Sequence, residues 1–361
     1  MSDTTRSLPS DADVAFRNTV LDMIFSGSRV EGRKDDSWEI LGYTTGLYNP
    51  LRRIVSNPLR PLPIVSALAR FVWMMAGNDR LEDIAFYEPK VSGYTDDGLV
   101  VPGSSYGHRI FNSSPGLNQL EGVIKSLEAD STSRQACVVI WDAQDAVRSS
   151  ADIPCTFGAS FHIRNNGLTM QLMMRSNNAF RLLPFNLFEF SMLGEVVAAT
   201  LGVPFKAYVH TAMSMHVYEN EHEWQTTMAV ANSNPLATPS FTMEPMPTGD
   251  AYTQCRKVAQ LEAKLRHVCT FGDMEKVVSE ANRELNPYWL NLFQVLVAYV
   301  AAKHHWGWRG WLTGNPYQNM AIADISKKLG LAYAVAEHKV PTGLAASTAR
   351  ANAAEADESG T

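Results

Sequence analysis

The sequence predicts a mixed α/β (α+β) fold, and three stretches of its 361 residues carry that expectation. "FGASFHIRNNGLTMQLMMRS" (157–176) is a pair of alternating runs about Asn166-Gly167, the pattern of a β-hairpin. "PIVSALARFVWMMAG" (63–77) is apolar almost throughout, as a buried helix is. Residues 253–340 read as mostly helical, so helices and strands share the chain.

Composition narrows the class. At 45% hydrophobic and 19% charged residues the chain can bury a sizeable core. A net charge of −6 with no basic block argues against nucleic acid as partner, though a few arginines can still hold a small anion. Four cysteines without a C-x-x-C pair suit free thiols in a reducing compartment and no metal site. The polar start "MSDTTRSLPSDAD" is unlike a signal peptide. "YWLNLFQVLVAYVAA" (288–302), interrupted by Asn291 and Gln294, is a core helix rather than a membrane span. These features predict a cytoplasmic location. With no linker in view, one domain is expected over 13–340, with 253–340 a helical extension. The polar ends 1–12 and 341–361 are expected to be disordered.

The elements follow in order. Val14, Val20, Leu21, Ile24 and Phe25 stripe a helix from Asp13 to about Phe25, closed by Gly27. "ACVVIW" (136–141) reads as a buried strand. If Asn166 and Gly167 form the hairpin loop, Cys155 faces Asn178; if the loop lies one residue earlier, it faces Ser176. Both registers bring "RSNN" (175–178) beside the cysteine, where the Arg175 guanidinium would favour the thiolate. Asn186 with Glu189 three residues later forms a helix N-cap pattern, and Gly202 ends that helix. On a strand through 208–221, His216 and Tyr218 share a face. The tryptophans of "HHWGWRGWLTGNP" (304–316) suit packing better than a ligand.

The order "IPCTF", hairpin, "RSNNAFRLLPFN" and "HVY" resembles the thymidylate synthase and pyrimidine-nucleotide hydroxymethylase superfamily. "GSSYGHRIF" (103–111), "SRQACVVIW" (133–141) and "EGRKDDSW" (31–38) extend the likeness over about residues 13–225. The resemblance implies a large mixed sheet with flanking helices and a homodimer with shared active sites. Cys155 would add to C6 of a pyrimidine nucleoside monophosphate, with Tyr106 near it. Arg33, Arg175 and Ser176 would hold the phosphate, joined by Arg134 of the other subunit. Asn186 would meet the base edge, and His216 and Tyr218 the sugar. The one-carbon donor would be 5,10-methylenetetrahydrofolate, with Asn178 where the family has a folate-contacting Asp, and no metal is implied.

Thr156 after the cysteine and the run "MRSN" (174–177) resemble cytidylate 5-hydroxymethylases, including those of nucleoside-antibiotic pathways, more than thymidylate synthases. The expected reaction is therefore 5-hydroxymethylation of CMP or dCMP by water. A reductive methylation of dUMP and a nucleotide-binding protein without turnover are the alternatives. Arg70 stands where the family has its relay Glu, with Glu82 and Glu88 as nearby substitutes, and Gln135 replaces a second phosphate arginine.

Overall fold

The computed structural model describes residues 8–32, 35–233 and 241–331. In chain order its elements are α1 (Ala12–Ser26), β1 (Ser28–Val30), β2 (Ser37–Leu47), α2 (Ile64–Ala76), α3 (Leu81–Ala85), α4 (Tyr106–Phe111) and α5 (Gln119–Ala129). They continue with β3 (Cys137–Val139), β4 (Thr156–Arg164), β5 (Gly167–Met174), β6 (Asn177–Asn178), α6 (Leu183–Thr200), β7 (Phe205–Tyr218) and α7 (Glu221–Asn232). Four further helices follow: α8 (Ala251–Arg266), α9 (Phe271–Glu284), α10 (Pro287–Lys303) and α11 (Pro316–Leu329).

The seven strands form one mixed sheet ordered β1-β2-β7-β5-β4-β3, with β6 pairing β7 off that path. β5 and β7 run parallel, as a crossover through α6 requires. Alternation sorts the sheet's faces: Met170, Leu172 and Met174 of β5 are buried, and a Cβ on Gly194 of α6 would meet Met170. Every residue of α6 from Leu183 to Ala199 is buried, since the sheet lies on one side and α2 and α8 pack on it as well. That surround explains why α6 is largely apolar around its circumference, with Asn186, Glu189, Ser191 and Glu195 as buried polar exceptions. On the sheet face away from α6, Met173 and Met213 stand exposed.

Several expectations change. Of the stretch 1–12, residues 1–7 lie outside the described residues, while the Pro9 carbonyl accepts from the Tyr48 amide and Asp11 caps α1 through Val14 N–H. The segment 341–361 also lies outside the described residues. The strand at 136–141 shortens to an edge strand whose Cys137 and Val139 are exposed, because β4 is its one partner. Asn186 is not a helix cap: it sits inside the first turn of α6, its amide N–H bonded to the Leu182 carbonyl.

Candidate functional site

The hairpin fixes the site, and it follows the second of the two expected registers until a bulge beside the cysteine shifts it by one residue. Arg164 pairs with Gly167, so the loop is Asn165-Asn166, both left-handed (φ 50° and 59°), the two-residue turn that matches strand twist. This is the earlier of the two loops. A bulge between Thr156 and Gly158 then moves the pairing on by one residue. Arg175, rather than Ser176 or Asn178, faces Cys155: the Arg175 amide donates to the Cys155 carbonyl at 2.7 Å.

The side chains follow the backbone. Arg175 Nε donates to the Pro154 carbonyl at 2.9 Å and Nη2 to the Ile153 carbonyl at 3.0 Å. The same Nη2 lies 3.8 Å from Cys155 Sγ. The guanidinium therefore staples the cysteine's own loop while placing positive charge beside the sulfur. Burial pushes the Cys155 thiol up from its ordinary range and Arg175 pulls it down, with burial the larger effect. Tyr106, at the start of α4, is likewise pushed up by burial and by the nearby thiol, and its ring stacks on Phe190 at 5.8 Å. A Cβ on Gly107 would fall 1.9 Å from the Met74 carbonyl oxygen, so this glycine lets α4 lie against α2 and brings Tyr106 in.

Two clefts meet at Cys155. A cavity of about 340 Å³ runs from Cys155 past Tyr106, Asn186 and Glu189 to an apolar wall including Trp73, Ile84 and Val101. A more open cleft of about 910 Å³ is lined by Ser176, Arg181, His216, Tyr218, Glu39 and Asp35, among others. Cys155, Arg175, Tyr94 and Leu182 border both.

Asn186 is 6% exposed, yet its amide finds weak partners: the Met174 sulfur at 3.4 Å and the Asn177 amide at 3.5 Å. A buried amide so poorly engaged is available to a ligand. His216 and Tyr218 share a face as expected, with ring centroids 5.0 Å apart, and burial lowers the His216 pKa. Asn178 borders the open cleft but is committed elsewhere. Its Nδ2 donates to Glu223 Oε1 at 2.8 Å and its Oδ1 accepts from Arg181 N at 2.5 Å, leaving little for a cofactor. Glu223, nearly fully buried, also takes the Tyr218 amide and pairs with Arg181, tying α7 to the strand that carries His216 and Tyr218.

Arg33 falls outside the described residues, although Gly32 and Asp35 on either side line the open cleft. Arg134 is exposed just before β3 and lines neither cleft of its own chain. Glu82 is on the surface beside Arg80, while Glu88 lies 3.5 Å from Arg70. Sequence reasoning used Glu189 for a cap and missed its place in the cavity; its spacing of three from Asn186 within one helix was the available signal. Glu223 and Arg181 carried no comparable signal. Among the described residues there is no His/Cys/Asp/Glu group that could hold a metal, and no helix long and apolar enough to cross a membrane.

A cysteine at the entry to a bulged hairpin strand, bordered by an arginine, thus opens to two clefts. Residues 59–262 match the thymidylate synthase family, and the chain belongs to it. It is a folate-dependent one-carbon transferase acting on a pyrimidine nucleotide. The chain is similar to the deoxyuridylate hydroxymethyltransferase of Pseudomonas phage M6, 28% identical over 66% of this chain and 68% of that one. It is also similar to the deoxyuridylate hydroxymethyltransferase of Bacillus phage SP01, 29% identical over 48% of each chain. A putative thymidylate synthase of Methanocaldococcus jannaschii is 32% identical over 31% of this chain and 54% of its own.

Proposed function

We propose that the protein 5-hydroxymethylates a cytidine monophosphate, CMP or dCMP, with methylenetetrahydrofolate as donor of the carbon. The observation that carries this reading is the junction of a polar and an apolar-walled cleft at the Cys155 thiol, with Arg175 beside the sulfur. The nucleotide's phosphate and sugar suit the open cleft, where Ser176, His216 and Tyr218 stand, with Arg33 as a further phosphate ligand; its base suits Asn186. The apolar wall about Trp73 suits a flat cosubstrate ring.

The chemistry divides by residue. The Cys155 thiolate adds to C6, and its electron pair passes through C5, making that carbon nucleophilic. C5 bonds the donor's methylene carbon, then gives up its proton to a base, and the electron pair released expels tetrahydrofolate to leave an exocyclic methylene. Water adds to the resulting exocyclic methylene as the thiolate leaves C6, giving a hydroxymethyl group. Tyr106, beside Cys155 and held protonated by burial, is placed to donate a hydrogen bond near the sulfur. The water outcome draws support from the two relatives named hydroxymethyltransferases and from Thr156 after the nucleophile. Those same names favour a second reading, deoxyuridylate as substrate. The exposed Met173 and Met213 face suits a second copy of the chain, in a homodimer whose sites each take Arg134 from the partner subunit.

The deciding experiment incubates the protein with CMP, dCMP, UMP or dUMP plus methylenetetrahydrofolate and identifies products by mass. A 5-hydroxymethylcytidylate product is expected. A 5-methyl product, or turnover confined to uridylates, refutes the reading.

A further inference from the structure

The inner end of the cavity holds an unbalanced charge cluster. Arg70 of α2 donates through Nε to Glu189 Oε1 at 2.5 Å and lies 3.5 Å from Glu88, while its guanidinium packs over the Phe185 ring at 5.1 Å. One cation thus serves two carboxylates. Among the described residues no second Lys, Arg or His forms an ion pair with either acid. Of the two, Glu189 lines the cavity and Glu88 does not. Elsewhere Arg53 pairs one-to-one with Glu195, and Asp145 has both Arg109 and Arg148.

Glu189 is 3% exposed and stands three residues after Asn186 on α6, so both side chains project from one face of that helix toward the cavity Cys155 opens into. A carboxylate has acceptor sites on two oxygens, and Arg70 Nε takes one of them. The other acid at that cavity is already satisfied: Asp152 accepts from Gly103 N, Ser104 N and Ser104 Oγ. The open demand beside Asn186 is therefore for a hydrogen-bond donor.

We infer that Glu189, held by Arg70, is the specificity-determining acceptor for the exocyclic amine of a cytosine whose ring edge Asn186 takes. This deepens the cytidylate reading above and rests on it. The Asn186 amide offers a donor and an acceptor and by rotating fits either base, so it cannot choose. A carboxylate can. The cytosine amine brings two N–H donors to it, whereas uracil sets O4, an acceptor, against an acceptor. Burial pushes the Glu189 carboxyl up and is the larger effect, while the Arg70 guanidinium opposes it and favours the ionised, accepting form.

The test measures dissociation constants of CMP and UMP, without folate, for the full chain, Glu189→Gln and the double variant Arg70→Met/Glu189→Gln. Glu189→Gln leaves Arg70 paired one-to-one with Glu88, and the double variant removes one charge of each sign at the cavity, so the two differ in the charge they leave buried. Wild type should favour CMP by on the order of tenfold to a hundredfold. Glu189→Gln should bring the ratio toward one, since an amide can turn either end to the base. Needing no variant, N4,N4-dimethyl-CMP should bind wild type at least about tenfold more weakly than CMP, having no N–H to give. If wild type favours CMP but the variants keep its ratio, or the dimethyl compound binds as CMP does, the role of Glu189 is overturned and the cytidylate reading stands. If wild type favours UMP, both fall.

Discussion

Arg175 beside the thiol makes a prediction with a size. Two unit charges 3.8 Å apart interact by ~4 kcal/mol at an effective dielectric of about 20, the value that suits partly solvated protein sites. At about 1.4 kcal/mol per pH unit this is about three units of thiol pKa, and water in the clefts reduces it to roughly one to three. Arg175→Gln removes the charge and keeps a donor for the Pro154 and Ile153 carbonyls. The pH midpoint for alkylation of Cys155 should then rise by about one to three units. Cys137 and Cys269 are exposed and serve as internal references when each cysteine is quantified by peptide mass. Arg175→Lys, which keeps the charge without the fork, should recover part of the shift. A midpoint that moves by less than about half a unit in Arg175→Gln refutes electrostatic activation. Arg175 would then serve by fixing the backbone of residues 153–155.

Three further outcomes are expected. Cys155→Ala should abolish turnover while nucleotide binding by calorimetry survives, because the phosphate, sugar and base contacts proposed here lie on other residues; a variant with a tenth of the wild-type rate would end the covalent mechanism. Mixing inactive Cys155→Ala with inactive Arg134→Ala should restore activity in some sites if each borrows Arg134 from its partner, and mixtures that exchange subunits without recovery would refute sharing. His210 is fully buried, its Nδ1 2.9 Å from the Tyr208 hydroxyl, and burial lowers its pKa to about 3. Below the unfolded value of about 6.5 the unfolded chain binds a proton that the folded chain refuses, so stability falls as pH drops from there toward 3, by about 2 kcal/mol at pH 5. Denaturant midpoints of wild type and His210→Gln at pH 7 and pH 5 check this, and an equal loss in both removes His210 as the cause.

Much of the site was legible because it is local. Cys155 and Arg175 are joined by one hairpin, and Asn-Asn-Gly chemistry is enough to return the chain upon itself. His216 and Tyr218 share a face because strands alternate. The helical character of the C-terminal third was legible as well, and α9, α10 and α11 open on a capping Thr270, Asn286 and Asn315. What sequence could not rank was one loop against its neighbour, since positive φ suits Asn165-Asn166 as well as Asn166-Gly167 and the bulge that finally set the register has no turn residue of its own.

The sequence by itself determined that a cysteine and an arginine would meet on a strand, and that the chain would mix a sheet with many helices, since periodicity and turn propensity act over a few residues. The tertiary structure decided which buried charges meet. Arg70 and Glu189 come together because α2 packs on α6, and Asn178 finds Glu223 because α7 folds back beside the strand end. Such pairs are set by the packing of whole elements, and a charge on a helix carries no mark of the distant partner that burial will require it to find.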